Sequence, residues 1–247
     1  MKTYALYNLK GGVGKTTSSI NLAYLAAKEG YKTLLWDLDP QGASSFILKQ
    51  KTKVELSDLL LGERKLKKLI SRTDYKNLFI LPSNLANRHL DTDLKELARS
   101  KKQFKSLLSD VKSEFDYVFI DCPPSLGLAA ENVFRAADFI LIPMIPAQLS
   151  EYSLDQVIAF FKENKHDDRK LIPFFNAVDL RRKLHADTIE RFKNTKRKIL
   201  NSFIPYSSNV EKMGLELAPV QCFSSKSKAA TSYRNLWQEL KWFRKLK

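Results

Sequence analysis

Short apolar runs recur along the chain, each stopping at a polar residue or a proline, with segments of helical spacing between them. Thr3 to Asn8 predicts a buried strand, followed by a glycine-rich turn and a helix from Thr16 through Glu29 that stops at Gly30. Thr33 to Trp36 predicts a second strand ending at Asp37, and Tyr117 to Ile120 another ending at Asp121. Phe139 to Ile142 ends at Pro143, and Leu171 to Phe175 ends at Asn176. These runs alternate little, as expected for strands covered on both faces, and helical segments at Asp91 to Ser113 and Ser153 to Lys162 separate them. The pattern predicts the α/β class, with a mainly parallel central sheet flanked by helices on both faces. Ligands of such sheets sit at the carboxyl ends of the strands, where Asn8, Asp37, Asp39, Asp121 and Asn176 all fall.

No linker rich in proline, glycine or serine divides the chain and no repeat is visible, so residues 1–247 read as a single domain. The basic, weakly periodic stretch from Lys49 to Lys76 reads as a helical excursion or a mobile surface insertion, with no assigned role. At 44% hydrophobic residues the chain can bury a sizeable core, which excludes wholesale disorder. Two cysteines, Cys122 and Cys222, allow neither a disulfide scaffold nor a CxxC site, and no apolar stretch is long enough for a membrane span. A cytoplasmic setting follows. A net charge of +15 favours polyanionic partners: nucleic acid, an anionic membrane surface or phosphate-rich ligands.

The sharpest chemical signal is Lys10-Gly11-Gly12-Val13-Gly14-Lys15-Thr16-Thr17, placed between the first strand and the first helix. There, exposed backbone N–H groups and the helix dipole favour an anion. Gly11, Gly12 and Gly14 let the backbone wrap phosphates, Lys15 would reach the β/γ oxygens, and the Thr16 hydroxyl would ligate Mg²⁺. This implies a P-loop NTPase fold. Leu9 stands where the common GxxxxGK[ST] loop has its first glycine, and Lys10 is an added lysine.

KGGVGKTT resembles the deviant Walker A of the ParA/MinD superfamily of P-loop ATPases. The resemblance implies that Lys10 reaches the nucleotide held by a second copy, in a sandwich homodimer that forms with ATP and Mg²⁺. A cation entering from outside can neutralise charge on the transferring phosphoryl group. Asp37-Leu38-Asp39-Pro40-Gln41 resembles the DxDPQ segment of the same family, which implies that Asp39 positions the attacking water and Asp37 supports the metal region. Asp121, followed by Cys122-Pro123-Pro124-Ser125, resembles the Walker B acid, expected to orient Mg²⁺ through water. Pro143 to Gln148 resembles PxxPxQ, and Asn176 to Arg181 resembles N-x-x-D-x-R, whose asparagine lies near the adenine. Ile204-Pro205-Tyr206 through Ala218-Pro219-Val220 resembles the late IP…AP block of the ParA branch, which implies Pro205 in the nucleotide pocket.

ParA-like proteins, as ATP dimers, bind DNA without sequence preference and position plasmids, chromosomes or other cargo, with a ParB-like or other adaptor stimulating hydrolysis. That implies a nucleoid-associated protein. Candidate DNA contacts are Arg181, Arg182, Lys183, Arg191, Lys193, Lys196, Arg197 and Lys198, then Lys226, Lys228, Arg234, Lys241, Arg244, Lys245 and Lys247. The rival reading uses Tyr233, Leu236, Leu240 and Phe243, an apolar stripe at helical spacing beside basic residues, as a membrane-surface helix of the MinD kind. The plainer expectation is that this stripe docks on the sheet. A metabolic P-loop enzyme is a further alternative, although no constellation for a second small substrate is recognisable.

Overall fold

The computed structural model describes residues 1–243 except 54, 63–64, 98–99 and 196–197, and of Lys193 and Phe243 the backbone alone. Seven strands form one sheet in the order β3-β4-β2-β5-β1-β6-β7. They are β1 (Lys2–Leu6), β2 (Thr33–Asp37), β3 (Ser71–Arg72), β4 (Leu78–Leu81), β5 (Tyr117–Asp121), β6 (Phe139–Met144) and β7 (Leu171–Phe175). All pairings are parallel except β3 with β4.

Neighbouring side chains of each strand enter opposite layers, which is why the runs look continuously apolar. Tyr4, Leu6, Leu35, Phe119 and Leu141 pack in one layer with α1 (Lys15–Lys28). Ala5, Leu34, Trp36, Val118, Ile120 and Ile140 pack in the other. The first layer also holds α2 (Ala43–Ile47). The second holds α3 (Leu56–Leu60), α4 (Leu90–Lys95), α5 (Gln103–Ser109), α6 (Leu128–Ala136), α7 (Gln148–Glu163) and Phe192 of α8 (Lys183–Lys193). Three short helices, α9 (Ser208–Glu211), α10 (Met213–Glu216) and α11 (Val220–Phe223), lead to α12 (Lys228–Phe243).

Helix α12 carries the stripe that could have served a membrane. Tyr233, Leu236 and Leu240 of that stripe, with Trp237 beside them, are fully buried against the first layer, so its described part docks in the core. Burial of each such side chain contributes roughly 1.5–3 kcal/mol. No helix among the described residues is long and apolar enough to cross a membrane.

The five expected strands are present. Helix α1 begins at Lys15 and ends at Lys28, just short of Gly30, whose φ of +96° closes a turn in which Gly30 N donates to Ala27 O and Tyr31 N to Ala26 O. The expected helix from Asp91 to Ser113 is instead broken into α4, a 3-10 turn at Ser100–Lys102 and α5. Its physical cause is Asn132 on α6. This buried amide donates to Ser100 O (2.6 Å) and accepts from Phe104 N (3.2 Å), taking backbone groups that a continuous helix would pair internally. The stretch from Lys49 to Lys76 contains α3, a second 3-10 turn and β3, so it is neither one helix nor a bare loop. Strands β3 and β4 were not expected from the sequence pattern.

Candidate functional site

Parallel register places Asp37 of β2 directly beside Asp121 of β5, with Leu6 of β1 on the far side of Asp121. Both carboxylates are completely buried at the carboxyl edge. Asp37 Oδ2 accepts from Ser45 N (2.7 Å) and Ser45 Oγ (2.6 Å), while Asp121 Oδ2 accepts from Ser44 Oγ (2.7 Å). The Thr16 hydroxyl lies close enough to Asp121 to favour its charged form. The other oxygen of each carboxylate, Oδ1, is buried without a hydrogen-bond partner among the described residues.

Burial pushes the Asp37 carboxyl well above its usual range, the Asp121 charge adds to this, and the Ser45 bonds pull it part of the way back. Asp121 is likewise raised by burial, against the lowering effect of Ser44 and Thr16 and the raising effect of Asp39. Lys15 is lowered by burial, with Asp121 opposing. Two buried acids, each with an orphan oxygen, make an oxygen-donor set suited to a hard divalent cation such as Mg²⁺. The Thr16 hydroxyl at the same spot fits that set.

Glycines shape the loop above it. Gly14 caps α1 in the left-handed region at φ +88° with no side-chain cap, so the first N–H groups of α1 are left for an anion. A Cβ at Gly14 would stand 1.9 Å from Asn176 Nδ2, so any other residue would have to displace that amide. Asn176 donates that nitrogen to Val13 O (2.7 Å), tying the end of β7 to the loop. Lys15 Nζ donates to Lys10 O (2.9 Å). The loop entrance is pinned by Asn8, which donates to Pro143 O and accepts from Lys10 N and Ser153 Oγ at 2.8–2.9 Å.

Two charged residues at this edge behave differently. Lys10 and Asp39 are only partly buried, and none of the ion pairs among the described residues involves either one. Asp39 Oδ1 accepts from Gln41 N, which fixes the turn into α2.

A cleft of about 410 Å³ opens beside the loop. Gly12, Gly14, Thr17, Asn176 and Pro205 line it, and so do Arg182, His185 and Tyr206. An isolated bridge between Val178 and Pro205 holds the late loop against the end of β7. Arg182, an expected DNA contact, is the N-cap of α8, is exposed, and also lines this cleft.

The remaining basic candidates are scattered. Arg181 is exposed but forms a paired fork with Asp179 at 2.9 Å, and Lys183, Lys226 and Lys228 are exposed. Arg191 pairs with Glu151. Arg234 donates to Gln221, Ser225 and Thr231, and Lys241 pairs with Glu29 at 2.7 Å. Lys196, Arg197, Arg244, Lys245 and Lys247, and the side chains of Lys193 and Phe243, lie outside the described residues. Sequence reasoning missed Ser44, Ser45, Ser153, His185 and Tyr206. Only the serine pair had a visible signal, two hydroxyls just after the acid pair.

A family model described as an AAA domain matches residues 1–173. The chain is 31% identical to the chromosome-partitioning ATPase Soj of Treponema pallidum, over 97% of this chain and 96% of that protein. It is also 31% identical to the sporulation initiation inhibitor protein Soj of Bacillus subtilis, over 97% and 98% of the two chains. Among solved structures, it resembles a cobyrinic acid a,c-diamide synthase from Mycobacterium smegmatis with bound ATP analogue and magnesium. That match has a TM-score of 0.81 at 27% identity, over 96% of this chain and 93% of that one.

Proposed function

The chain belongs to the ParA/MinD superfamily of P-loop ATPases, in its Soj/ParA partition branch, and on that premise we propose that it acts as an ATP-switched dimer on DNA. The protein is an ATP hydrolase, and the reading treats residues 1–247 as one ATPase domain. The observation that carries the switch is the pairing of a buried acid pair with two partly buried charges, Lys10 and Asp39, that no ion pair among the described residues holds back.

In this reading Gly11, Gly12, Val13, Gly14, Thr16 and Thr17 wrap the triphosphate with backbone and hydroxyl donors, and Lys15 sets its charge against the β/γ oxygens. Magnesium, when bound, draws charge from those oxygens; Thr16, Asp37 and Asp121 are the residues that would hold it. Asn176, its amide oriented by Val13, offers Oδ1 to a base amino group, and Pro205 closes the pocket. Asp39 orients the attacking water. Lys10 crosses to the nucleotide of the second copy, so the γ-phosphate joins the two subunits and its loss releases them.

The dimer binds DNA nonspecifically through exposed lysines such as Lys183, Lys226 and Lys228, and a ParB-like or other adaptor stimulates hydrolysis to move plasmid, chromosome or other cargo. Binding through about five phosphates gives a log–log salt slope near −4 to −5. The test is DNA binding measured in ATP and in ADP across a salt series. ATP-dependent binding with that slope supports the reading; equal binding in both nucleotides contradicts it. The likeness to a biosynthetic enzyme keeps a second reading in view, a metabolic ATPase. Turnover that requires a small metabolite and ignores DNA would favour it.

A further inference from the structure

His185 lines the cleft beside the loop, is 3% exposed, and has no part in the scheme above. It is the third residue of α8, and its Nδ1 accepts from Asp179 N (3.0 Å), which ties the first turn of α8 to the chain leaving β7. A backbone N–H can only donate, so Nδ1 carries no proton and the ring is fixed as the tautomer with its proton on Nε2. Burial and the Arg182 guanidinium push the imidazole below its usual range, with Asp179 opposing, so the ring is neutral at pH 7. No hydrogen bond among the described residues uses Nε2, and that atom is not among the fully buried orphans. A donor of fixed identity therefore meets the open cleft.

Asn176 presents the opposite character. Its Nδ2 is spent on Val13 O (2.7 Å), and no hydrogen bond among the described residues uses Oδ1. One short segment holds both side chains in place. Ala177 turns the chain in the left-handed region at φ +51°, a strained conformation for a residue with a Cβ. Val178 N then donates to Ile204 O (3.0 Å), and Tyr206 N to Val178 O (2.8 Å). Around them Ile145, Ala177, Ile204, Pro205 and Val210 supply apolar lining suited to the faces of a base.

An acceptor and a fixed donor together read a base by its edge. In adenine the 6-amino group donates, and the ring nitrogens beside it, N1 and N7, accept; in guanine the 6-oxygen accepts and N1 carries a proton. We propose that His185 is a specificity-determining residue of the nucleotide site: its Nε2–H donates to a ring nitrogen beside the 6-amino group of adenine while Asn176 Oδ1 accepts from that amino group. The proposal rests on the assignment of this cleft to the base of ATP. Guanine would set O6 against Asn176 Oδ1, acceptor against acceptor, and neither side chain can reverse its role, because Asn176 Nδ2 and His185 Nδ1 are already engaged.

The test titrates the full chain with Mg²⁺ and diphosphates, which keeps hydrolysis and assembly out of the readout. The parent should bind GDP at least about a hundredfold more weakly than ADP, and either 1-deaza-ADP or 7-deaza-ADP about tenfold more weakly. In His185→Phe, which keeps a ring in place, that same analogue should bind as well as ADP does, and the gap to GDP should narrow. Only the ratio between nucleotides is read, so a general loosening of the cleft does not mimic the effect. In the parent with ¹⁵N-labelled histidine, the Nε2–H proton of His185 should shift on adding ADP and fail to shift with the sensitive analogue, a readout that stands even if His185→Phe does not fold. Two deaza analogues that bind the parent like ADP, or a deaza penalty that survives in His185→Phe, overturn the assignment. So does a loss confined to 2′-deoxy-ADP, which would place Nε2 on the sugar. Purine riboside diphosphate, which lacks the 6-amino group, checks Asn176 separately: binding equal to ADP removes the acceptor half of the pair. A parent chain that binds no ADP would sink the underlying ATPase scheme, a result separable from all of these.

Discussion

The phosphate edge and the basic periphery are both rich in charge, yet they are built by opposite rules. At the edge, Asp37, Asp121 and Lys15 are buried and each is held by named donors or acceptors. At the periphery, Lys183, Lys226 and Lys228 are exposed, while Arg181 and Lys241 spend their charge on neighbours of the same chain. Charges fixed in a low-dielectric site act on a bound group without reorganising. Exposed charges act collectively, on a polyanion, and fade with salt. Single substitutions should therefore be severe at the edge and slight at the periphery.

The largest effect is expected for Asp39→Ala. Hydrolysis should fall by about 10²–10⁴-fold with nucleotide binding retained, measured by phosphate release and by equilibrium titration in parallel. Hydrolysis at the parent rate would remove Asp39 from the chemistry. Lys15→Ala comes next, because losing a charge-assisted contact of about 1.5–3 kcal/mol should weaken nucleotide binding by roughly tenfold to a hundredfold, read by calorimetry. For Gly14→Ala, the Cβ placed 1.9 Å from Asn176 Nδ2 and the φ of +88° should destabilise the fold by at least about 1 kcal/mol, visible in denaturant melts.

Asp37 sharpens the contrast through pH. Its folded-state pKa is raised to about 7, above the ordinary 3.8, so the folded chain holds a proton that the unfolded chain gives up. The penalty for ionising it is absent at low pH and grows as pH rises towards 7. Melting without metal should accordingly show Asp37→Asn gaining on the parent at pH 8 and not at pH 4, by a few degrees at most. Added Mg²⁺ should narrow that gap, because the parent carboxylate then has a cation to face. A gap that does not depend on pH would contradict the assignment. The smallest effect belongs to Lys241→Ala, where loss of the partly exposed pair with Glu29 should change stability by less than about 1 kcal/mol, as checked by the same melts.

How far these features could be read from residues alone follows the same division. Strands at Thr33 and Tyr117 and the loop from Lys10 to Thr17 were legible because strongly apolar runs and paired glycines constrain a backbone locally. The break between α4 and α5 was not, since it depends on Asn132, a residue from a later helix. Strand β4 hid for a related reason: Leu78 to Leu81 is a short run whose partner, β2, lies far away in sequence. In the site, the acids at positions 37 and 121 announced themselves at strand ends, but their shared register and the Ser44 and Ser45 bonds are tertiary facts. Charge alone did not reveal that Arg182 also lines the cleft. The outward use of Lys10 proposed above comes from the resemblance and not from the residues alone.

That use of Lys10 is tested most directly by the mass of the protein in solution with AMPPNP and Mg²⁺, measured by light scattering for the parent chain and for Lys10→Ala. The account predicts a dimer for the parent, a monomer in ADP, and a loss or marked weakening of the dimer in the variant that still binds nucleotide. A parent chain that remains a monomer in AMPPNP, or a variant that dimerises as well as the parent, would contradict it.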